Sequence, residues 1–282
     1  MRSWFIITLD KNSFGRHTLN KSTTFQDFEK IMGGYKSNEY YKNQETFFKK
    51  YLNRPRKLWD DFLSKNLSNK ERVLSIGSGP CVNELLLIKK KHDLVCSDLD
   101  IPDCYNSYKK LFGNFDYKKL NILLNSSEEK FDSIISLGVA FTFSHSELEI
   151  FFENIFKSLK AKGKFLLDLG GSEDNFFSLI YDKYFLPFEI ELAYLIYKIR
   201  GKNYGLLKRH WGYKYKNKEI LEIAKKKGFE IVNFQSDDFY TELERSKIFN
   251  LIIKRVPFAK KIFYILGRSM PYVRIFKFEK IE

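Results

Sequence analysis

The chain has 282 residues, of which 44% are hydrophobic and 30% charged, and it carries a formal net charge of +14. Such a composition excludes a disordered or fibrous polymer and supplies ample apolar mass for one large core or two modest ones. The three cysteines, Cys81, Cys96 and Cys104, form no C-x-x-C pair, so they build no zinc site and suit a reducing compartment. The positive excess favours an anionic partner (nucleic acid, lipid or a phosphorylated substrate), but joint richness in Lys, Asn, Ile, Phe and Tyr accounts for it equally well.

Along the chain, the apolar run Trp4 to Leu9 is too short for a secretory segment and no small-residue cleavage site follows it. Nowhere do about 18 apolar residues follow one another, so no membrane span is expected and the predicted location is cytoplasmic. Residues 1–70 read as an N-terminal helical cap. Helical spacing runs over 25–32 and 40–63, with Phe47, Phe48, Tyr51 and Leu52 on one face before Pro55.

From Glu71 the pattern becomes alternating strand and helix, which predicts a parallel sheet covered on both faces. The predicted strands are 73–76, 94–97, 115–120, 133–137 and 164–169. Helices are expected over 82–91, 103–112 and 146–159, the last N-capped by Ser144 or Ser146 and stopped by Gly163. An aromatic segment, 176–215, is longer than a crossover needs. A helix over 218–227 then ends at Gly228 and feeds a strand over 229–234. A last strand over 248–254 is close enough to pair with it as an antiparallel hairpin. Residues 256–282 read as a basic tail. Phe258, Ile262, Ile265 and Leu266 make an apolar helical stripe, and 245–282 holds ten Lys and Arg against two acids.

The most informative stretch is Ser75-Ile76-Gly77-Ser78-Gly79-Pro80-Cys81, followed about 20 residues later by Asp98 at the end of an apolar run. A strand, a glycine turn, a helix and a second strand closing on an acid can hold a nucleoside. The turn admits backbone close to the ligand, and a carboxylate can accept from both ribose hydroxyls. No G-K-[ST] follows the turn, which excludes a P-loop. Val82 stands where a nicotinamide fingerprint needs its third glycine.

In these residues the chain resembles the class I S-adenosylmethionine-dependent methyltransferases over roughly Glu71 to Arg255. Their acid-x-Gly-x-Gly-x-Gly pattern is matched at its central glycines, with Ser75 for the acid and Cys81 for the last glycine. Phe131-Asp132-Ser133-Ile134-Ile135-Ser136 matches their fourth strand, and Leu159-Lys160-Ala161-Lys162-Gly163-Lys164-Phe165 the opening of their fifth. Gly228-Phe229-Glu230 precedes strand six as it does in that family. The resemblance implies a Rossmann-like doubly wound sheet of seven strands with the last antiparallel, a core over 71–255 and a lid insertion over 176–215.

It further implies S-adenosyl-L-methionine as cofactor and no metal. Ser75, Gly77, Ser78, Gly79, Asp98 (with Asp100 as alternative), Asn121 and Leu137 are the implied cofactor contacts. Methyl transfer is an orientation task in which a base helps when the acceptor is a hydroxyl. His145 and His210 are the candidate bases, with Trp211 and Tyr213 as candidate acceptor contacts in the lid. No Asn-Pro-Pro-Tyr follows strand four, and Ser136-Leu137-Gly138-Val139 resembles the small-molecule branch. The expected function is O-methylation of a small-molecule or glycan acceptor. An RNA methyltransferase and a non-catalytic cofactor-binding scaffold are the alternatives, and 257–278 is the candidate contact with an anionic membrane.

Overall fold

The computed structural model describes residues 57–79, 81, 83–102, 105–113, 115–170, 195, 199, 215–238, 255–268 and 271–282. The chain divides into two compact units, one of 1–28, 170–220 and 236–274, the other of 29–169, 221–235 and 275–282. In chain order the described elements are α1 (Lys57–Asn66), β1 (Arg72–Ile76), α2 (Leu85–Lys89), β2 (Asp93–Asp98), α3 (Tyr105–Phe112), β3 (Asp116–Lys119) and β4 (Phe131–Ser136). After β4 follow α4 (His145–Ser158), β5 (Leu159–Gly170), α5 (Asn217–Lys226), β6 (Phe229–Asp238), α6 (Ala259–Arg268) and β7 (Pro271–Lys280). The predicted helices over 25–32 and most of 40–63, and the predicted strand over 248–254, lie outside the described residues.

One seven-stranded sheet has the order β3-β2-β1-β4-β5-β7-β6. β1 pairs in parallel with β2 and β4, β2 with β3, and β4 with β5. The chain runs outward from β1 to β3 on one side and restarts at β4 on the other. The crevice between the carboxyl ends of β1 and β4 is therefore the switch point where open α/β sheets bind ligands. β7 is antiparallel: the Ile281 N–H donates to Gly228 O just before β6, while Phe276 lies tilted against Phe234 further along that strand.

The sheet packs through aromatic rings. Phe151 and Phe152 of α4, Phe165 of β5, Phe229 of β6 and Phe278 of β7 are buried and meet mostly edge to face, 5.4–6.3 Å between centroids. That geometry suits the positive edges and negative faces of aromatic rings. Ser144 caps α4 in a reciprocal box with Glu147. At the other end of α4, Lys280 of β7 donates to the carbonyls of Phe156 (2.9 Å) and Leu159 (3.1 Å), which the helix leaves without N–H partners. In the other unit the buried Arg274 guanidinium donates to Tyr215 O (2.7 Å) and to Asn217 Oδ1.

Three expectations need correction. Gly163 does not stop α4, which ends at Ser158 and is capped by Leu159 in extended conformation. It lies in a bulge of β5 where the register against β4 shifts, and a Cβ there would sit 2.9 Å from Lys160 O. The seventh strand is 271–280 and not part of a helical tail, so Phe276 and Phe278, at 1% and 0% exposure, belong to the core. The β6–β7 connection spans 239–270 and contains α6, so it is not a tight hairpin. Two predicted elements are also shorter than expected: the helix over 82–91 is confined to α2 and the strand over 115–120 to β3.

Candidate functional site

β1 ends at Ile76 and the chain turns at once through Gly77 and Gly79, with φ of +68° and +47°. A side chain is strained at such φ. At Gly77 there is a second reason: an added Cβ would run into the side chain of Val139, from the loop after β4. The two loops at the switch point thus touch, and only glycine lets them. Cys81, where the resemblance places a third glycine, keeps that glycine's left-handed backbone at φ +54°.

Serine hydroxyls fasten the turn from inside. Ser75 and Ser78 are buried. Ser78 Oγ donates to Ser75 O (3.2 Å), Ser97 Oγ donates to the same carbonyl (2.7 Å), and the Ser78 N–H donates to Ser97 O (2.9 Å). Ser75 Oγ donates to Glu84 Oε1 at 2.7 Å, and Glu84 is itself only 1% exposed. A carboxylate from the start of α2 therefore stands against the residue that replaces the family's acid.

Asp98, half-buried at the end of β2, accepts the Gly79 N–H at Oδ2 and the Leu99 N–H at Oδ1, both at 2.7 Å. Two backbone donors fix its orientation at the mouth of the switch-point crevice. Tyr117 of β3 holds the same turn from the other side, its hydroxyl donating to Gly79 O at 2.9 Å. Burial above all, with the Asp98 charge beside it, pushes the Tyr117 ionisation far up, so the phenol remains a donor.

The other expected contacts are placed differently. Asn121 is a turn residue: its amide oxygen accepts the Leu123 N–H (3.1 Å), the role in which Asn commonly closes a loop. Leu137 is buried just after β4, and its carbonyl accepts Asn83 Nδ2 at 3.2 Å. Asp100 pairs with Lys119 at 2.7 Å on the surface. His145 is the first residue of α4, exposed, with Nε2 4.0 Å from Glu149 Oε1 of its own helix. His210, Trp211 and Tyr213 lie outside the described residues. Among the described residues no cluster of three or more His, Cys, Asp or Glu could hold a metal ion, and no helix is long and apolar enough to cross a membrane.

Several residues of this site carry no motif. Besides Glu84 and Tyr117 they include Asp168, near the end of β5. Its Oδ2 accepts the Trp59 indole N–H of α1 at 2.9 Å, and its Oδ1 accepts the Gly138 N–H. Burial pushes its carboxyl up to about 6, against the opposing pull of those two donors.

The strand order, the antiparallel final strand and the glycine turn facing an acid are those of the S-adenosylmethionine-dependent methyltransferase fold. Comparison with solved structures gives the same answer. The chain is similar to 1,6-didemethyltoxoflavin-N1-methyltransferase of Burkholderia thailandensis, with TM-score 0.57 and 12% identity over 94% of this chain and 92% of that one. It is also similar to a TehB-like SAM-dependent methyltransferase of Corynebacterium glutamicum (TM-score 0.51, 18% identity, 86% and 97% covered). A third likeness is to phosphoethanolamine N-methyltransferase 2 of Haemonchus contortus (TM-score 0.53, 15% identity, 80% and 53% covered). No family profile and no curated protein matches the sequence itself. At such identities the shared property is the fold.

Proposed function

We propose that the protein is an S-adenosylmethionine-dependent methyltransferase. The observation that carries this is the Asp98 carboxylate, held by the Gly79 and Leu99 N–H groups across the carboxyl ends of β1 and β2, beside the glycine turn. The donor set fits that group: a carboxylate for a ribose diol, glycine at 77 and 79 of the turn, and no G-K-[ST] phosphate cradle after it. When bound, S-adenosylmethionine would supply an electrophilic methyl group on a sulfonium. The chain's part is to hold the nucleoside at Asp98, keep the Gly77–Gly79 backbone close to it, and orient an acceptor in line. Calorimetry with S-adenosylhomocysteine tests this directly: saturable 1:1 binding is expected, and its absence removes the proposal.

The acceptor we infer is a small molecule or a glycan, methylated on oxygen. The first neighbour is named as an N1-methyltransferase and binds 1,6-didemethyltoxoflavin, which supports the small-molecule class and leaves the choice of oxygen to the sequence reading. His210 or His145 would then be the base and Trp211 and Tyr213 the acceptor contacts, each entering on sequence alone. A formal net charge of +14 favours RNA as a second acceptor class, testable as salt-dependent RNA binding. Ser75 in the acid's place favours the scaffold alternative, to be shown by ligand binding without turnover on any acceptor.

Contact with an anionic membrane would run through 256–265 and not through β7. Phe258 is 75% exposed, Ile262 53% and Ile265 59%, beside the exposed Lys260 and Lys261. An apolar stripe flanked by lysines is the composition of an interfacial helix.

A further inference from the structure

We propose that Asp168 is a positioning residue: its carboxylate latches the loop after β4 to α1, and so holds Val139 against the Gly77 turn. This deepens the methyltransferase reading and rests on it for the choice of ligand. Four contacts make the chain of connection. Trp59 donates to one carboxylate oxygen and Gly138 to the other, Gly138 adjoins Val139, and Val139 packs where Gly77 has no Cβ. The latch therefore joins α1, β5 and both loops of the switch-point crevice through one side chain, 7% exposed.

An ionised carboxylate can satisfy both donors at once, whereas a protonated one presents an O–H to a site already occupied by two N–H groups. Protonation must weaken at least one bond. Weakening the Gly138 bond frees a loop residue held at φ +76°. The groups that face Asp168 are the Trp59 indole from α1 and the Gly138 amide from the loop after β4; its neighbours on β5, Leu167 and Leu169, are apolar. Among the described residues no charged side chain enters its titration. The crevice should then be ordered above the Asp168 titration and loosened below it. Because coupling is reciprocal, a nucleoside ligand that prefers the ordered crevice must also lower the pH at which the latch opens.

Trp59 reports on the latch without any ligand. In a Trp4→Phe/Trp211→Phe background its emission is expected to show a transition centred near pH 6, abolished by Asp168→Asn. By calorimetry, S-adenosylhomocysteine is expected to bind about tenfold more weakly at pH about 5 than at pH about 7.5, and to lose that dependence in Asp168→Asn. Trp59→Phe removes one donor to the charged form, and relative to the unsubstituted protein it is expected to raise the midpoint of the affinity profile by about one pH unit. A flat Trp59 signal, or an affinity profile unchanged by Asp168→Asn, overturns the latch. If Asp168→Asn fails to fold, Trp59→Phe carries the test, and an unmoved midpoint overturns it. No binding at any pH with the Trp59 transition intact overturns the cofactor reading and leaves the latch standing.

Discussion

Ser75 Oγ donates to Glu84 Oε1 at 2.7 Å, with both side chains buried beneath the glycine turn. The acid that the resemblance places on β1 is thus met by a hydroxyl on β1 and a carboxylate from α2. A buried hydrogen bond to a charged group contributes about 1.5–3 kcal/mol. Urea denaturation of Ser75→Ala, Glu84→Ala and the double variant is expected to show each single change destabilising by about that amount. The double variant should cost less than the sum, with a coupling of about 1 kcal/mol. Strict additivity would mean the bond contributes nothing.

Asp98→Ala removes the carboxylate that Gly79 and Leu99 orient. Calorimetry with S-adenosylhomocysteine is expected to show a loss of about 1.5–3 kcal/mol, with the fold retained by circular dichroism. Asp100→Ala, which breaks a surface pair with Lys119 and a local bond from the Ile101 N–H, is expected to change affinity by less than twofold. Reversal of the two results would move the ribose contact to Asp100.

Gly77→Ala meets two costs, its φ of +68° and the Val139 side chain. A left-handed backbone costs about 1–2 kcal/mol and overpacking about 1–3 kcal/mol. Thermal unfolding is expected to fall accordingly, and Val139→Ala added to it should recover the second part only. Full rescue would show that the backbone conformation carries no strain there.

The raised Asp168 carboxyl has a signed consequence for stability. Its folded value, about 6, lies above its ordinary 3.8, so the folded protein holds that proton more tightly than the unfolded chain. The contribution is fully present below about pH 4 and is lost as pH rises through about 6, a change of about 3 kcal/mol. Glu149 and Asp132, held below the usual carboxylate range by lysine partners, act in the opposite direction. The difference between wild-type and Asp168→Asn urea stabilities across pH 4–7 isolates Asp168. A difference independent of pH would show that the carboxyl titrates normally.

Phe258→Asp with Ile262→Asp tests the exposed stripe of α6. Because both side chains are mostly solvent-exposed, stability is expected to change by no more than about 0.5 kcal/mol each. Sedimentation with anionic vesicles should be lost, and neutral vesicles should bind neither form. Unchanged binding would remove this helix as the contact.

Strands β1, β2 and β4 were legible because each is a short apolar run closed by a turn residue, and α4 because Ser144 and Glu147 announce its start. β7 was not, although Phe276-Lys277-Phe278-Glu279 alternates with period two. Its basic, aromatic composition extends that of α6, and the helical stripe at Phe258, Ile262 and Ile265 drew the whole segment into one reading. The contact between the Gly77–Gly79 turn and Asp98 could be found because a turn after one strand and an acid at the end of the next recur at a fixed spacing. Asp168 left a fainter sign: a lone acid inside Phe165-Leu166-Leu167-Asp168-Leu169, which a buried strand tolerates only with partners. Trp59 lies 109 residues away in sequence, and only the fold brings them together.

The insertion of β7 between β5 and β6 has a consequence for biosynthesis. All other strands are translated before residues 271–280, so β6 has no sheet neighbour while the ribosome is still adding α6. Until then the parts of the Phe165 and Phe229 rings that Phe278 covers lack that neighbour. Nascent chains stalled before β7 are therefore the form in which this protein is most exposed to aggregation and to chaperones. A chain truncated before residue 271 would lose the completed sheet while sparing every residue of the Gly77–Gly79 turn.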